Sequence, residues 1–304
     1  MISNRVRKFG ALYRRRGAPD AMREALTWTL ARLRLVEDVE GRRRALALEL
    51  ARAFQWRVSY GPFRGMILPE RSWWSTQDRA PMLLGLYEQD VLEILVRELA
   101  RRRHFIDIGA GDGYFAVGLL ATGHALRCLC FEASMEGRAV IAECARANGV
   151  TERIHIDGAA NSRTLLDIED GILADSVVLI DIEGEEFELL DDIALERLRE
   201  AVVVVELHDH RHDFDTSHRR DLHDRAARHF EISEIPHRGR NPAQFPELDH
   251  LPENDRWLAC SEGRSAKMTW LLFEPRTVTG HPPPSSDAGH GPSMPFADEV
   301  PIRG

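Results

Sequence analysis

The chain has 304 residues, 43% of them hydrophobic and 29% charged, which matches a globular protein able to bury a full-sized core. A net charge of −9 argues against a general nucleic-acid binder, whose affinity would rest on Lys and Arg neutralising phosphates. No apolar run approaches the roughly 20 residues a bilayer span needs, and the opening MISNRVRKFG lacks the apolar core of a secretory signal, so a cytoplasmic protein is expected.

The charge is unevenly placed, with +8 over residues 1–57 and −17 over the remainder. Two basic amphipathic helices are predicted in that head, over 20–36 (DAMREALTWTLARLRLV) and 42–54 (RRRALALELARAF). Such helices either pack on their own domain, which is the expectation, or make peripheral contact with an anionic membrane or a partner. The pattern EQDVLEILVRELAR (88–101) puts Val91, Leu92, Leu95, Val96 and Leu99 on one helical face just before the apolar strand HFIDIG.

Further strands are predicted at 126–131, 152–156, 176–182 and 201–207, most of them separated by helical patterns. The runs VVLIDI and AVVVVEL are near-continuous in β-branched and aliphatic residues, as strands buried on both faces require. Alternation of strand and helix then implies an α/β fold with a doubly wound, mostly parallel sheet and an N-terminal helical extension. After a polar stretch come a helix near 217–228 and strands at 229–235 and 268–274, forming a hairpin-like return at the sheet edge. The organisation expected is a basic helical accessory region over 1–80, the α/β domain over 81–275, and a disordered Pro/Gly/Ser-rich tail over 276–304. Cys128, Cys130, Cys144 and Cys260 lack paired CxxC spacing and are expected to be buried, reduced thiols.

The segment Asp107-Ile-Gly109-Ala-Gly111-Asp-Gly113 turns from strand to helix while its backbone approaches a ligand, and glycine permits both. Counting GxGxxG from Gly109 places Tyr114 at the third glycine of a dinucleotide fingerprint, where its ring obstructs a pyrophosphate; no lysine follows to make a P-loop. An acidic Asp107 suits a cation such as a sulfonium or an amino group. Glu132, closing the second strand in CFEAS, can accept both hydroxyls of a ribose, so adenosine without a diphosphate fits best.

The run VVLIDIEGEEFELL drops Asp181, Glu183, Glu185 and Glu186 at the end of the fourth strand, where close carboxylates are costly unless they meet cations or protons. Together with GLYEQD (85–90), FIDIGAGDGYF, FEAS and VVVVELHDH, it resembles the FkbM family of methyltransferases over roughly residues 85–210. The resemblance implies a Rossmann-like class I methyltransferase fold, S-adenosyl-L-methionine as methyl donor, and a hydroxyl acceptor on a sugar or secondary metabolite. It assigns Asp107, Gly109, Gly111, Gly113 and Glu132 to the cofactor, joined by Tyr114, Ala133 and Asp181, with Ala159 and Asn161 beside the adenine.

An aliphatic hydroxyl needs a base within hydrogen-bond reach, and the candidates are His208, Asp181 and Glu183. His208 is favoured because it follows the fifth strand and has an ordinary pKa near 6.5, although it could merely open the polar loop HDHRHDFDTSH. Asp181, Glu183, Glu206 and His208 could alternatively gather a divalent Mg, Ca or Mn ion, but metal-free transfer is expected. Glu185, Glu186 and Glu188 open a helix, where opposing its dipole suffices as a role. In NDRWLACSEGR (254–264), Trp257 is either an acceptor-pocket residue or a core residue at the sheet edge, the latter preferred.

The partner expected is therefore a small-molecule or glycan hydroxyl acceptor, with no nucleic acid. Two other functions compete. A nicotinamide-dependent oxidoreductase is disfavoured by Tyr114, and a non-catalytic scaffold docked through the basic helices by the intact loop and acidic cluster. Oligomeric state is not legible in the sequence.

Overall fold

A computed structural model describes residues 38–208, 217–264 and 268–276, with residues 18, 19, 22, 23, 25, 26 and 29 from the N-terminal stretch. Most of the helix predicted over 20–36, the polar segment 209–216 and the stretch from 277 onward lie outside the described residues.

Helix α1 (Val39–Ala53) opens on Asp38, whose carboxylate accepts from the Gly41 N–H at 2.7 Å, and buries Leu46, Ala47, Leu50 and Ala51 at helical spacing. Two of its arginines are used within the chain: Arg43 is buried on Asp78 at 2.8 Å, and Arg42 pairs with Asp255. Helices α2 (Arg79–Leu83) and α3 (Gln89–Leu99) lead into the sheet, α3 burying Val91, Leu92, Leu95 and Leu99 as its pattern predicts.

The strands are β1 (His104–Ile108), β2 (Arg127–Phe131), β3 (Ile154–Asp157), β4 (Ser176–Ile180), β5 (Val202–Leu207), β6 (Phe230–Glu234) and β7 (Thr269–Pro275). They form a seven-stranded sheet in the order β3-β2-β1-β4-β5-β7-β6, with β7 antiparallel to both neighbours and the rest parallel. This is the doubly wound, mostly parallel, Rossmann-like α/β architecture expected, and the β6–β7 pair is the predicted return at the edge. The strand predicted from 152 begins two residues later, because Thr151–Arg153 close a 3-10 turn and pairing starts at Cys128 opposite Ile154.

Helices α4 (Tyr114–Ala121), α5 (Met135–Ala147), α6 (Asp170–Ala174), α7 (Glu186–Leu189), α8 (Asp192–Arg197), α9 (Ser217–Ala226) and α10 (Glu253–Ala259) complete the layers. Strand alternation divides the core. Phe105, Val177, Leu179, Val202 and Val204 face a cluster shared with α1, α3, α4 and α5, while Ile106, Val178, Ile180, Val203 and Val205 face one shared with α8 and α9. Both faces being covered explains why β4 and β5 are buried at every position. All four cysteines are free and buried. Among the described residues, no helix is long and apolar enough to cross a membrane.

Candidate functional site

The glycine loop sits where β1 ends beside β4. At Gly109 φ is +93°, and a Cβ there would stand 1.8 Å from the Asp181 carbonyl oxygen, so the two strand ends can pass this closely only with glycine. Gly111 also has positive φ, at +56°, but nothing lies within 4 Å of where its Cβ would be; the missing side chain opens space. Its N–H donates to Glu132 Oε2 at 2.8 Å, while Glu132 Oε1 accepts from the Ser134 N–H at 2.8 Å. Gly113, at φ +79°, caps α4 against Ile141.

These elements enclose a cavity of about 260 Å³ at the carboxyl ends of β1, β2, β3 and β4, the edge where sheets of this type take ligands. Of the residues singled out in the sequence, Gly109, Gly111, Tyr114, Glu132, Ala133, Ala159, Asp181, Glu183 and Glu185 line it. Asn161 does not: it is exposed, and its Oδ1 accepts from the Arg163 and Thr164 N–H groups at 2.9 and 3.2 Å, so its side chain is spent on its own turn. Ala160 stands in the wall instead.

Asp107 lies one residue short of the cavity wall, buried at 2% exposure. Burial, followed by the nearby Asp181 carboxylate, pushes its pKa up to about 8 against the pull of a backbone hydrogen bond from Ala116. Its Oδ2 has no hydrogen-bond partner among the described residues. A buried carboxyl with a raised pKa therefore underlies the loop without lining the cavity.

At the other end of the cavity Asp181 and Glu183 form the wall, with Glu206 and His208 directly behind them. His208 Nε2 is 3.5 Å from Glu206 Oε2, 3.6 Å from Asp181 Oδ1 and 3.7 Å from Glu183 Oε2. His208 is 2% exposed. Burial pulls the His208 pKa down, but the Glu186 hydrogen bond and the Asp181, Glu186 and Glu183 charges outweigh it and raise it. Asp181 is pushed up to about 6 by burial, against the opposing pull of Glu206 and His208; Glu206 is raised by burial and by Asp181.

Glu183 itself holds a left-handed φ of +59°, an unusual conformation for a side-chain-bearing residue that clusters at functional sites. Glu186, expected to serve only the helix dipole, is instead wholly buried: it accepts from the His208 N–H at 2.6 Å and the Gly184 N–H at 2.8 Å, stitching the DIEGEE turn to the end of β5. One atom each from Asp181, Glu206 and His208 lies within 4.8 Å of the others, and two carboxylate oxygens with an imidazole nitrogen suit a divalent ion such as Mg or Mn.

Several cavity residues escaped the sequence reading. Trp73, Trp74, Met82, Tyr87 and Phe115 supply an apolar wall, Tyr87 packing edge-on against Tyr114 at 5.5 Å. Tyr87 belongs to GLYEQD, whose Glu88 and Asp90 meet Arg264 and Arg238. Arg264 in turn bonds Glu206 at 2.6 Å and Glu262 at 2.8 Å, so the end of NDRWLACSEGR does reach the acidic group from behind. Trp257 takes neither place offered to it, being 53% exposed and outside the cavity. No fixed spacing links these positions in the chain, and an aromatic without periodic context gives no signal of a wall.

No family model matches the chain, and no curated protein matches it. Among solved structures it is similar to the precorrin-6Y C5,15-methyltransferase of Geobacter metallireducens, at 20% identity and a TM-score of 0.37, over 48% of this chain and 74% of that one. It is also similar to the tRNA (m1A58) methyltransferase of Aquifex aeolicus, at 14% identity and a TM-score of 0.39, over 62% of this chain and 68% of that one. A third likeness is to the precorrin 8W decarboxylase of Methanobacterium thermoautotrophicum, at 17% identity and a TM-score of 0.40, over 62% of this chain and 90% of that one.

Proposed function

We propose that the protein is an S-adenosyl-L-methionine-dependent methyltransferase that methylates a hydroxyl oxygen. The observation that carries the reading is the convergence, on one cavity, of a glycine cradle left open at Gly111, a β2-end carboxylate on Glu132, and a carboxylate wall at Asp181 and Glu183. The position of Glu132 in the cavity wall supports its accepting the ribose hydroxyls, and the small side chains of Ala133, Ala159 and Ala160 support an adenine beside them. The acidic wall favours the sulfonium and ammonium of the cofactor and repels phosphates, which supports a neutral acceptor over a dinucleotide or a nucleic acid.

When bound, the cofactor supplies an electrophilic methyl group on sulfur. The chain's part is to align the acceptor oxygen with that carbon and to receive the proton. Asp181 is the base we assign in the wall, where it would take the proton of the acceptor hydroxyl. His208, buried behind it at 3.6 Å and held toward its charged form, steadies the ionised carboxylate and can pass the proton onward. The resemblance to the FkbM family supports a sugar or secondary-metabolite acceptor.

Incubating the protein with methyl-labelled S-adenosylmethionine and a panel of sugars, polyols and phenolic metabolites, with and without a chelator, tests the proposal. Label transferred to a hydroxyl oxygen supports it. Transfer to a carbon or nitrogen acceptor would overturn the oxygen assignment, and failure to bind the cofactor would overturn the enzyme class.

A further inference from the structure

We propose that the segment Ser72–Trp74 is part of the cofactor site, with Trp73 as a cofactor-binding residue and Asp112 as the positioning residue that holds it there. The proposal rests on the methyltransferase reading and adds to it a wall drawn from the stretch that the sequence assigns to an accessory region.

Asp112 lies between Gly111 and Gly113, inside the glycine loop, and is 7% exposed. Its carboxylate accepts from the Trp73 N–H at 3.0 Å, the Trp74 N–H at 3.4 Å, the Ser72 hydroxyl, and Arg79 Nη2 at 3.2 Å. Arg79, itself buried, also donates to the Arg71 carbonyl at 3.0 Å. A carboxylate has about four lone-pair sites, so Asp112 is fully engaged in pinning a stretch some forty residues upstream onto the loop that cradles the cofactor. A loop position that merely turned the chain would not need such a clamp.

The clamp delivers Trp73 to the nucleoside end of the cavity. A Cβ on Gly137, in the first turn of α5, would fall 2.6 Å from Trp73 Nε1 and 2.7 Å from Glu132 Cγ, so glycine there is what lets the indole and the Glu132 side chain both lie close against α5. Trp73 lines the cavity with Glu132, Ala133 and Ser134. Its Nε1 is buried with no hydrogen-bond partner among the described residues. Trp74, 47% exposed and edge-on to Trp73 at a ring separation of 6.0 Å, extends the wall to the mouth. The ligand chemistry this recognises is a purine nucleoside: a flat apolar ring against the indole and ribose oxygens within reach of Glu132.

Calorimetric titration with S-adenosylhomocysteine tests the proposal on the wild type and on Trp73→Phe, Trp73→Ala and Asp112→Asn. Trp73→Ala and Asp112→Asn are expected to weaken binding about tenfold or more, and Trp73→Phe, which keeps a ring, by less. Trp73→Phe should also remove most of the change in indole emission that the ligand causes, although five of the chain's six tryptophans remain; a merely structural Trp73 would leave that change intact. Wild-type protein that does not bind the ligand overturns the methyltransferase reading. Wild type that binds, with Trp73→Ala within twofold of it, overturns the inference alone. Should Trp73→Ala fail to fold, an unaltered emission change in Trp73→Phe overturns it.

Discussion

Replacing Asp107 by Asn removes a titration without removing shape. In the folded protein this carboxyl keeps its proton up to about pH 8, whereas in the unfolded chain an Asp ionises near 3.9. Between those values the folded state binds the extra proton, so stability is greatest at low pH, falls as pH rises through the interval, and levels off above about 8. Each pH unit inside the interval costs the fold about 1.4 kcal/mol, so moving from pH 5 to pH 8 should cost on the order of 3 kcal/mol through this group alone. That is a large part of an ordinary total of about 5–15 kcal/mol. Asn fits the same space and offers the same oxygen to the Ala116 backbone; its amide is no worse satisfied than the unpartnered carboxyl oxygen it replaces.

Asp181, raised to about 6, and Glu262, raised to about 7 chiefly by burial, titrate in the same interval, but they are present in both proteins and largely drop out of the difference. Urea denaturation of ligand-free wild type and Asp107→Asn at pH 5 and pH 8 is the assay. The variant's stability relative to wild type should improve by roughly 3 kcal/mol between the two pH values. An equal difference at both, or a relative loss for Asn at pH 8, would refute the reasoning.

Gly109→Ala should destabilise the fold severely: the left-handed φ costs about 1–2 kcal/mol for any side chain, and a Cβ 1.8 Å from the Asp181 carbonyl forces β1 and β4 apart at their ends, so a fall in denaturation midpoint equivalent to about 3 kcal/mol or more is expected in urea titration. His208→Ala should leave S-adenosylhomocysteine affinity within about threefold and lower turnover by roughly 10²-fold or more, measured once an acceptor is in hand; unchanged turnover would remove His208 from the chemistry. Turnover should survive dialysis against a chelator, and activity lost on chelation and restored by Mg would instead assign an ion to Asp181, Glu206 and His208.

The sheet was readable because its strands are buried on both faces: VVLIDI and AVVVVEL carry no alternation to confuse with a surface strand, and their flanking helices fix the parallel order. The glycine loop was readable because three closely spaced glycines and a β2-end acid are a local pattern. Long-range geometry was not. Nothing at Asp112 announces that it will accept from Trp73 and Trp74 across some forty residues, and nothing at Gly137 announces the indole lying on it. Asn161 went astray because a short polar side chain serves a turn as readily as a ligand, and Trp257 because an aromatic on a short helix can face solvent. The sequence puts Glu186 at a helix start but not on His208, since its bond to the His208 backbone joins segments whose proximity only the folded sheet creates.

The most direct test of the account is calorimetric titration of the intact protein with S-adenosylhomocysteine and, separately, with NAD. Saturable binding of the sulfur ligand, weakened by Glu132→Gln and absent for NAD, is the result predicted from the cradle at Gly111 and the acid at Glu132. Tight binding of NAD with no response to S-adenosylhomocysteine would contradict it.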